Sequence, residues 1–143
     1  MANDNLVNLL YYTNKDPLSY PSLTEEQKKE EVFEKLIKII PRIGPKDTAH
    51  SIVSIRVVSG HKNNENTEFR NVKISIEVFV PLTQWIIKST NLRPFAILGE
   101  IEKSLQGKTV NGLGKIEGGN FDLNFLTDEI GAYEQTFWIT TYE

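Results

Sequence analysis

The chain of 143 residues contains no cysteine, which excludes disulfides, thiolate nucleophiles and zinc sites built on sulfur. It also lacks a hydrophobic run long enough to span a bilayer, and its first residues lack the positive charge of a signal peptide. The formal net charge of −3 does not favour a nucleic-acid-binding surface. These absences predict a protein that is made in the cytoplasm and has no membrane segment.

Motifs for catalysis and cofactor binding are missing as well. Gly107-Lys108-Thr109 ends like a phosphate-binding loop, but Glu102 occupies the position where that motif requires glycine. His50 and His61 have no acidic or histidine partner at a metal-ligand spacing. We therefore predict no enzyme activity, no metal and no cofactor.

The clearest pattern that is present is an alternation from Val72 to Val80. The even positions are apolar and β-branched, whereas positions 73, 75 and 77 are polar. This period of two predicts a strand with one face on a core. A second strand is predicted at Ile52–Val58, and the polar stretch Gly60–Glu68 is predicted to be a long loop between them.

Two helices are predicted from apolar spacing and end signals. Thr24 and Gln27 form a capping-box pattern, and apolar residues then recur at helical spacing as far as Ile40. The second helix is predicted from Asn91 or Pro94 to Gln106, with Gly107 after its end.

The C-terminal third predicts further strands. Thr109–Glu117 and Asn120–Leu126 have strand patterns, with Gly118-Gly119 as a hairpin turn between them, and Tyr133–Tyr142 is the last strand. The predicted fold class is therefore α+β. A mixed, mainly antiparallel sheet of about four to five strands packs against two main helices.

Residues 1–23 are predicted to be an extended N-terminal arm, followed by a single domain over 24–143. The pairs Asp16-Pro17 and Tyr20-Pro21 break regular structure, whereas Leu6–Tyr12 is apolar enough to pack against a surface. The arm either lies over the protein's own core or docks on a neighbouring subunit.

This order of elements, together with two local stretches, resembles the tail terminator proteins of tailed bacteriophages, of the lambda type. The first stretch is Ile76–Pro81, which reads I-E-V-F-V-P, and the second is Ile139–Glu143, which reads I-T-T-Y-E. The likeness extends over most of residues 24–143. The segments 1–23 and 107–119 depart from that family's pattern, which leaves a related head-to-tail joining or neck protein as an alternative.

The resemblance implies a structural virion protein. Its expected partners are further copies of itself in a ring, usually a hexamer, the tail-tube protein, and the head connector or stopper protein. Such a ring caps the tail tube, stops its polymerisation and joins the tail to the head, and DNA only passes through its channel. The expected location is the tail or neck of the virion, and the host cytoplasm during assembly, with no membrane.

Three regions would carry these contacts: the segment 6–12, the loop 61–68, and the polar strand face with the connection that follows it. Each also has an interpretation within one subunit, namely a strap on its own core, a mobile loop and a solvated strand face. The predicted contact residues are Leu6, Leu10, Tyr11, His61, Lys62, Asn64, Lys73, Glu77, Trp85 and Arg93.

Two other functions are compatible with the sequence. One is a head-completion or neck ring protein of another phage type. The other is a monomeric protein-binding module that uses Trp85 and the glycine-rich hairpin as its contact face.

Overall fold

A mixed sheet with helices on it forms the fold, which confirms the predicted α+β class. The computed structural model describes residues 3–33, 35–39, 50–62, 69–88, 91–109 and 114–142, and for 58–62, 69–71 and 140–142 it describes the backbone alone. The described elements are α1 (Asp4–Tyr11), α2 (Glu25–Gln27), α3 (Arg93–Leu105), β1 (Ile37–Lys38), β2 (Ile52–Lys62), β3 (Phe69–Pro81), β4 (Ile116–Leu126) and β5 (Ile130–Tyr142).

The strand order in this sheet is β1-β2-β3-β5-β4. β1 pairs parallel to β2, and the other neighbouring strands are antiparallel. β3 and β5 are therefore interior strands, and β1 and β4 lie at the two edges. The last strand in sequence thus lies between the third and the fourth.

The alternating pattern of β3 is confirmed, since Ile76, Val78 and Val80 are buried in the core. They face Ile97 and Leu98 of α3 and the apolar side chains of α1 in one hydrophobic cluster. The predicted second helix is also confirmed, because α3 begins at Arg93, with Pro94 in its first turn, and ends at Leu105. Proline fits there because the first turn needs no backbone donor.

Within residues 1–23, the segment 4–11 is helical and buried against α3. Asn3 caps α1 by accepting a hydrogen bond from the backbone N–H of Leu6 at 3.0 Å. The Asn3 amide also donates to the Ser104 hydroxyl of α3 at 2.7 Å. The segment therefore lies over the protein's own core here. Residues 12–24 follow without regular structure apart from the 3₁₀ turn Pro17–Ser19.

The predicted helix from Thr24 to Ile40 is wrong beyond residue 32. The capping box forms as expected, but α2 passes directly into a π-helical turn, Lys28–Val32, which ends the helix. Residues 37–38 instead form β1, and the backbone N–H of Val53 donates to the Leu36 carbonyl at 2.8 Å. β-branched isoleucines favour a strand where a partner strand is available. Ile40 lies outside the described residues.

β4 is continuous through Gly118-Gly119, so the predicted hairpin turn is wrong. The strand pairing shifts register between Gly118 and Asn120, which marks a bulge. Gly118 has φ +124°, and a Cβ there would lie 2.6 Å from the Thr136 carbonyl oxygen. Of the predicted strand over 109–117, Ile116 and Glu117 belong to β4 and Thr109 forms an isolated bridge with Lys115, whereas 110–113 lie outside the described residues.

The predicted loop 60–68 begins later than expected. β2 extends to Lys62, and β3 begins at Phe69, so that His61 pairs with Asn71 and Lys62 with Arg70. The remaining residues of that loop, 63–68, lie outside the described part of the chain.

Candidate assembly surfaces

An exposed apolar surface lies along β4. Phe121, Leu123 and Leu126 are 47%, 54% and 60% exposed, and Phe95 in the first turn of α3 is 39% exposed. The rings of Phe95 and Phe121 are 5.7 Å apart, and each also contacts the ring of Tyr133 on β5. The aromatic side chains thus form one contiguous group on the side of the sheet that carries α3.

Among the described residues, α3 covers this surface only in part. α3 buries Ile97, Leu98 and Ile101, Phe95 contacts the ring of Phe121, and the Glu102 side chain lies next to Gly119. Contiguous apolar surface of this kind on a folded chain marks an interaction site.

Acidic residues accompany the apolar ones. Glu117 and Asp122 are exposed on β4, and Asp128 and Glu129 lie in the turn before β5. Residues 116–134 contain no lysine or arginine. We call the exposed apolar side chains on this side, together with the exposed acidic side chains that β4 carries on its other face, the β4 edge; they are Phe95, Phe121, Leu123 and Leu126, with Glu117 and Asp122.

The opposite edge of the sheet is formed by the short strand β1. β1 pairs with Val53 and Ser54 of β2, and among the described residues its pairing ends there. Ile39, directly after β1, is 81% exposed, and Val57 of β2 is 70% exposed. We call Lys35, Ile39 and Val57 the β1 edge.

The β1 edge has the opposite charge. Residues 35–39 and 52–57 contain Lys35, Lys38 and Arg56 and no acidic residue, but Arg56 is paired with Glu77 of β3. Lys35 is exposed. The two edges of the sheet therefore combine exposed apolar side chains with charges of opposite sign.

The sheet face that carries the polar positions of β3 contains a polar network. Glu77 is 9% exposed; one of its carboxylate oxygens lies 2.6 Å from Arg56 Nη2, and the other accepts a hydrogen bond from the Asn124 amide at 2.6 Å. Arg56 Nη2 is also 3.7 Å from Glu134. The network joins β2, β3, β4 and β5, so Glu77 has its partners within this subunit.

Arg93 is fully buried, and its guanidinium binds backbone carbonyls of its own chain. Its Nη1 donates to Leu9 at 2.6 Å and to Tyr12 at 2.9 Å, and its Nη2 donates to Asn14 at 2.5 Å. Its Nε donates to the Gln84 carbonyl at 2.9 Å. Burial lowers the pKa of Arg93 to about 10. The side chain therefore fastens the end of α1 to the connection between β3 and α3.

The predicted contact residues of the N-terminal segment are internal. Leu6 and Leu10 are 1% and 0% exposed. Tyr11 is half-buried, with its ring next to those of Tyr12 and His50. With Arg93, these side chains contact their own subunit, because α1 completes the core. Their contact with a neighbouring subunit stays a prediction.

Trp85 is half-buried against its own sheet. Its ring lies over Gly131, where a Cβ would be 2.5 Å from two ring atoms, and it is 6.2 Å from the ring of Tyr133. Its carbonyl accepts from the backbone N–H of Arg93 at 2.7 Å. Trp85 thus fills the end of the core next to the β4 edge.

The remaining predicted contact residues are on or near β2 and β3. Lys73 is half-buried, with its ammonium 5.7 Å from the centre of the Trp138 ring. His61 and Lys62 are described only by their backbone pairing to β3, and Asn64 lies outside the described residues.

The sequence patterns did not predict that the β4 edge is exposed, although its alternation of apolar and polar residues is evident. Phe121, Leu123 and Phe125 alternate with polar residues, and such a pattern is ordinarily placed on a core. A register shift between Leu123 and Phe125 turns Phe125 to the opposite face, where it contacts Phe79. Sequence periodicity reports which side chains share a face but not whether a helix covers that face.

Among the described residues no group of three or more histidine, cysteine or acidic side chains is placed to hold a metal ion. In the same part of the chain, none of the helices has the length and apolar character needed to cross a membrane.

No curated protein matches the chain. The model of the YomW family matches residues 3–137 and so includes every described helix and all but the end of β5. The family name is a gene name of the type used for the phage SPbeta, which indicates a phage-related protein. The chain belongs to the YomW family.

Proposed function

We propose that this chain is a structural protein of a phage virion that assembles into a ring, caps the tail tube, stops its polymerisation and joins the tail to the head connector. The observation that carries the proposal is the β4 edge, where the exposed apolar side chains of Phe95, Phe121, Leu123 and Leu126 lie together on one side of the sheet. A ring subunit needs such a surface because each copy must bind its neighbours without a ligand or cofactor. The phage-related family supports the same proposal.

The charge of the chain is compatible with this role. The formal net charge is −3, so a channel formed by several copies would not be strongly basic as a whole. Strong phosphate binding in the channel would retard DNA during its passage, since many basic contacts bind DNA tightly.

The test is the mass of the native protein by sedimentation velocity, alone and with the tail-tube protein encoded in the same phage genome. We expect a ring in at least one of the two conditions, and tubes of limited length when the protein is present during tube polymerisation. A monomer in both conditions, at the highest soluble concentration, together with unaffected tube growth would overturn the proposal.

Leu123→Arg is the matched variant for this test. Leu123 is 54% exposed on the β4 edge, whereas Leu18 is 48% exposed on the 3₁₀ turn of the N-terminal segment. We expect Leu123→Arg to shift the protein towards the monomer and Leu18→Arg to leave assembly unchanged. Equal behaviour of the two variants would contradict the role of the β4 edge.

A monomeric binding module is the second candidate, because the aromatic group around Tyr133 is also large enough to bind a single partner. A monomer at high concentration that forms an equimolar complex with one virion protein, without closing a ring, would favour it.

A further inference from the structure

We infer that the β4 edge of one copy binds the β1 edge of the next copy, so that successive subunits contact each other head to tail. The inference rests on the proposed ring function and specifies the pair of surfaces that forms the ring.

Apolar complementarity is the first argument. Ile39 and Val57 are the exposed apolar side chains of the β1 edge, at 81% and 70% exposure. On the β4 edge, Phe121 and Leu123 are 47% and 54% exposed. Contact between these surfaces removes apolar side chains from water on both subunits, which is the main favourable term in association.

Charge complementarity is the second argument. The acidic residues Glu117 and Asp122 are exposed on the β4 edge, and Lys35 is exposed on the β1 edge. Two β4 edges placed against each other would bring together carboxylates of the same sign, and like charges at an interface are unfavourable. The charges therefore favour a contact between different edges over a symmetric contact of one edge with itself.

The geometry of the sheet makes this contact intermolecular. β1 and β4 lie at the two ends of the strand order, separated by four interstrand spacings, or about 19 Å at about 4.8 Å each. A copy consequently cannot bring its own two edges together. A heterologous contact of this type forms a closed ring where the rotation between copies permits it.

Side chains, and not a continuous strand ladder, form this contact. β4 shifts register between Gly118 and Asn120 and again between Leu123 and Phe125, and β1 is two residues long. Bulges and short edge strands prevent regular strand addition. The side chains around Phe121 and Ile39 therefore carry the interaction.

A pair of charge-reversal variants tests the inference. Variant A carries Glu117→Lys and Asp122→Lys, so that both of its edges are basic. Variant B carries Lys35→Glu and Ile39→Glu, so that its β1 edge becomes acidic like its β4 edge. All four positions are exposed, and both variants are expected to fold. Masses are measured by native mass spectrometry in the condition in which the wild-type protein assembles, with the tube protein included where it is required.

We expect each variant alone to need a protein concentration higher by about ten-fold or more to assemble. An equimolar mixture of A and B is expected to regain complexes in which the two variants alternate, because every A–B contact is then between opposite charges. The substitutions take the formal net charge from −3 to +1 in A and to −6 in B, so non-specific attraction also favours association in the mixture. Complexes with the subunit number of the wild-type assembly and equal amounts of A and B are therefore the result that supports the inference.

Each other outcome overturns the inference. Normal assembly of either variant alone, or a mixture that stays monomeric, rejects the pairing of these edges while leaving a ring by other surfaces in place. Loss of assembly in A with no effect in B rejects the head-to-tail contact. A wild-type protein that is monomeric with and without tube protein rejects the inference and the proposed function together.

Discussion

Helix α1 and strand β4 carry similar apolar side chains but place them differently. Leu6, Val7, Leu9 and Leu10 of α1 are at most 1% exposed, whereas the apolar side chains at 121, 123, 125 and 126 of β4 are 38–60% exposed. α1 packs against α3 within the hydrophobic core, and Arg93 fastens its end. β4 buries Ile116 in the same core, and Phe95 of α3 contacts Phe121, but the helices leave much of its later apolar side chains exposed. Whether an apolar segment is core or surface is therefore decided by the layer above it.

Arg93→Met should have the largest effect on the difference in burial between α1 and β4, because it removes the side chain that fastens α1 to the rest of the fold. Four backbone carbonyls lose their donor, and each buried group without a partner costs about 1–3 kcal/mol. We expect the free energy of unfolding in urea to fall by about 4 kcal/mol. This value is at the low end of the summed cost of four fully buried carbonyls, because partial solvent exposure lowers the cost of each carbonyl that loses its donor. Lys103→Met, at an exposed position of the same helix, is the control and should change stability by no more than about 0.5 kcal/mol. Similar values for the two variants would show that α1 is held by its apolar contacts alone.

Leu10→Ala and Leu123→Ala compare the two regions directly. Leu10 is fully buried, and its truncation should lower the free energy of unfolding by about 3 kcal/mol through lost burial and a cavity. Leu123 is 54% exposed, so its truncation should cost less than about 1 kcal/mol in the monomer. Denaturant titration of the dispersed protein measures both. A large loss for Leu123→Ala would mean that β4 belongs to the core in solution.

Gly118→Ala tests the bulge that keeps β4 irregular. The added methyl group would meet the Thr136 carbonyl at a residue with φ +124°, and such backbone strain costs about 1–3 kcal/mol. Gly99→Ala is the matched control, since a Cβ at this helical residue meets no atom within 4 Å and should stabilise α3 by about 0.5–1 kcal/mol. The midpoint temperature of thermal unfolding should therefore fall for Gly118→Ala and rise for Gly99→Ala. A shift in the same direction for both variants would contradict the bulge.

The smallest effect is expected at the start of α1, where Lys28 Nζ lies 2.6 Å from the Asp4 carboxylate. The hydrogen bond from Lys28 lowers the pKa of Asp4 from its ordinary 3.8, and the bond to Asp4 raises the pKa of Lys28 from 10.5. A lowered carboxyl pKa gives stability that is present above 3.8 and lost as the pH falls through the lower value of the folded chain. For Lys28 the contribution is present below 10.5 and lost as the pH rises through the raised value.

Asp4→Asn should therefore be less stable than the wild-type chain near neutral pH, and the difference should shrink in acid. Urea titrations between about pH 7 and about pH 3 measure this convergence. A difference that stays constant over this range would show that the ion pair does not contribute.

The strands and α3 could be predicted because their local patterns agree with their surroundings. In β3, Ile76, Val78 and Val80 alternate with polar residues and are buried as expected. In α3, Pro94 and the apolar spacing fix the start and the buried side. Both elements lie in the middle of the fold, where the pattern and the tertiary contacts favour the same structure.

The rest could not be predicted because tertiary contacts decide it. The stripe that begins at Val32 has helical spacing, but pairing with Val53 turns residues 37–38 into a strand. Gly118-Gly119 has the composition of a turn, and the close approach of Thr136 makes it a bulge. Arg93 was predicted to be a contact residue between subunits, whereas backbone carbonyls from two segments of its own chain provide it with a buried site.

The strand order has a consequence for folding of the nascent chain. β5 lies between β3 and β4, and its pairing joins residues as distant as Phe69 and Tyr142. During synthesis β4 therefore has no partner strand until β5 has left the ribosome, and contacts of such sequence separation form slowly. The aromatic side chains of β4 come together with Tyr133 only after that step. Subunits are thus unable to bind each other through this surface before β5 has been translated. Association therefore follows folding of the chain in time.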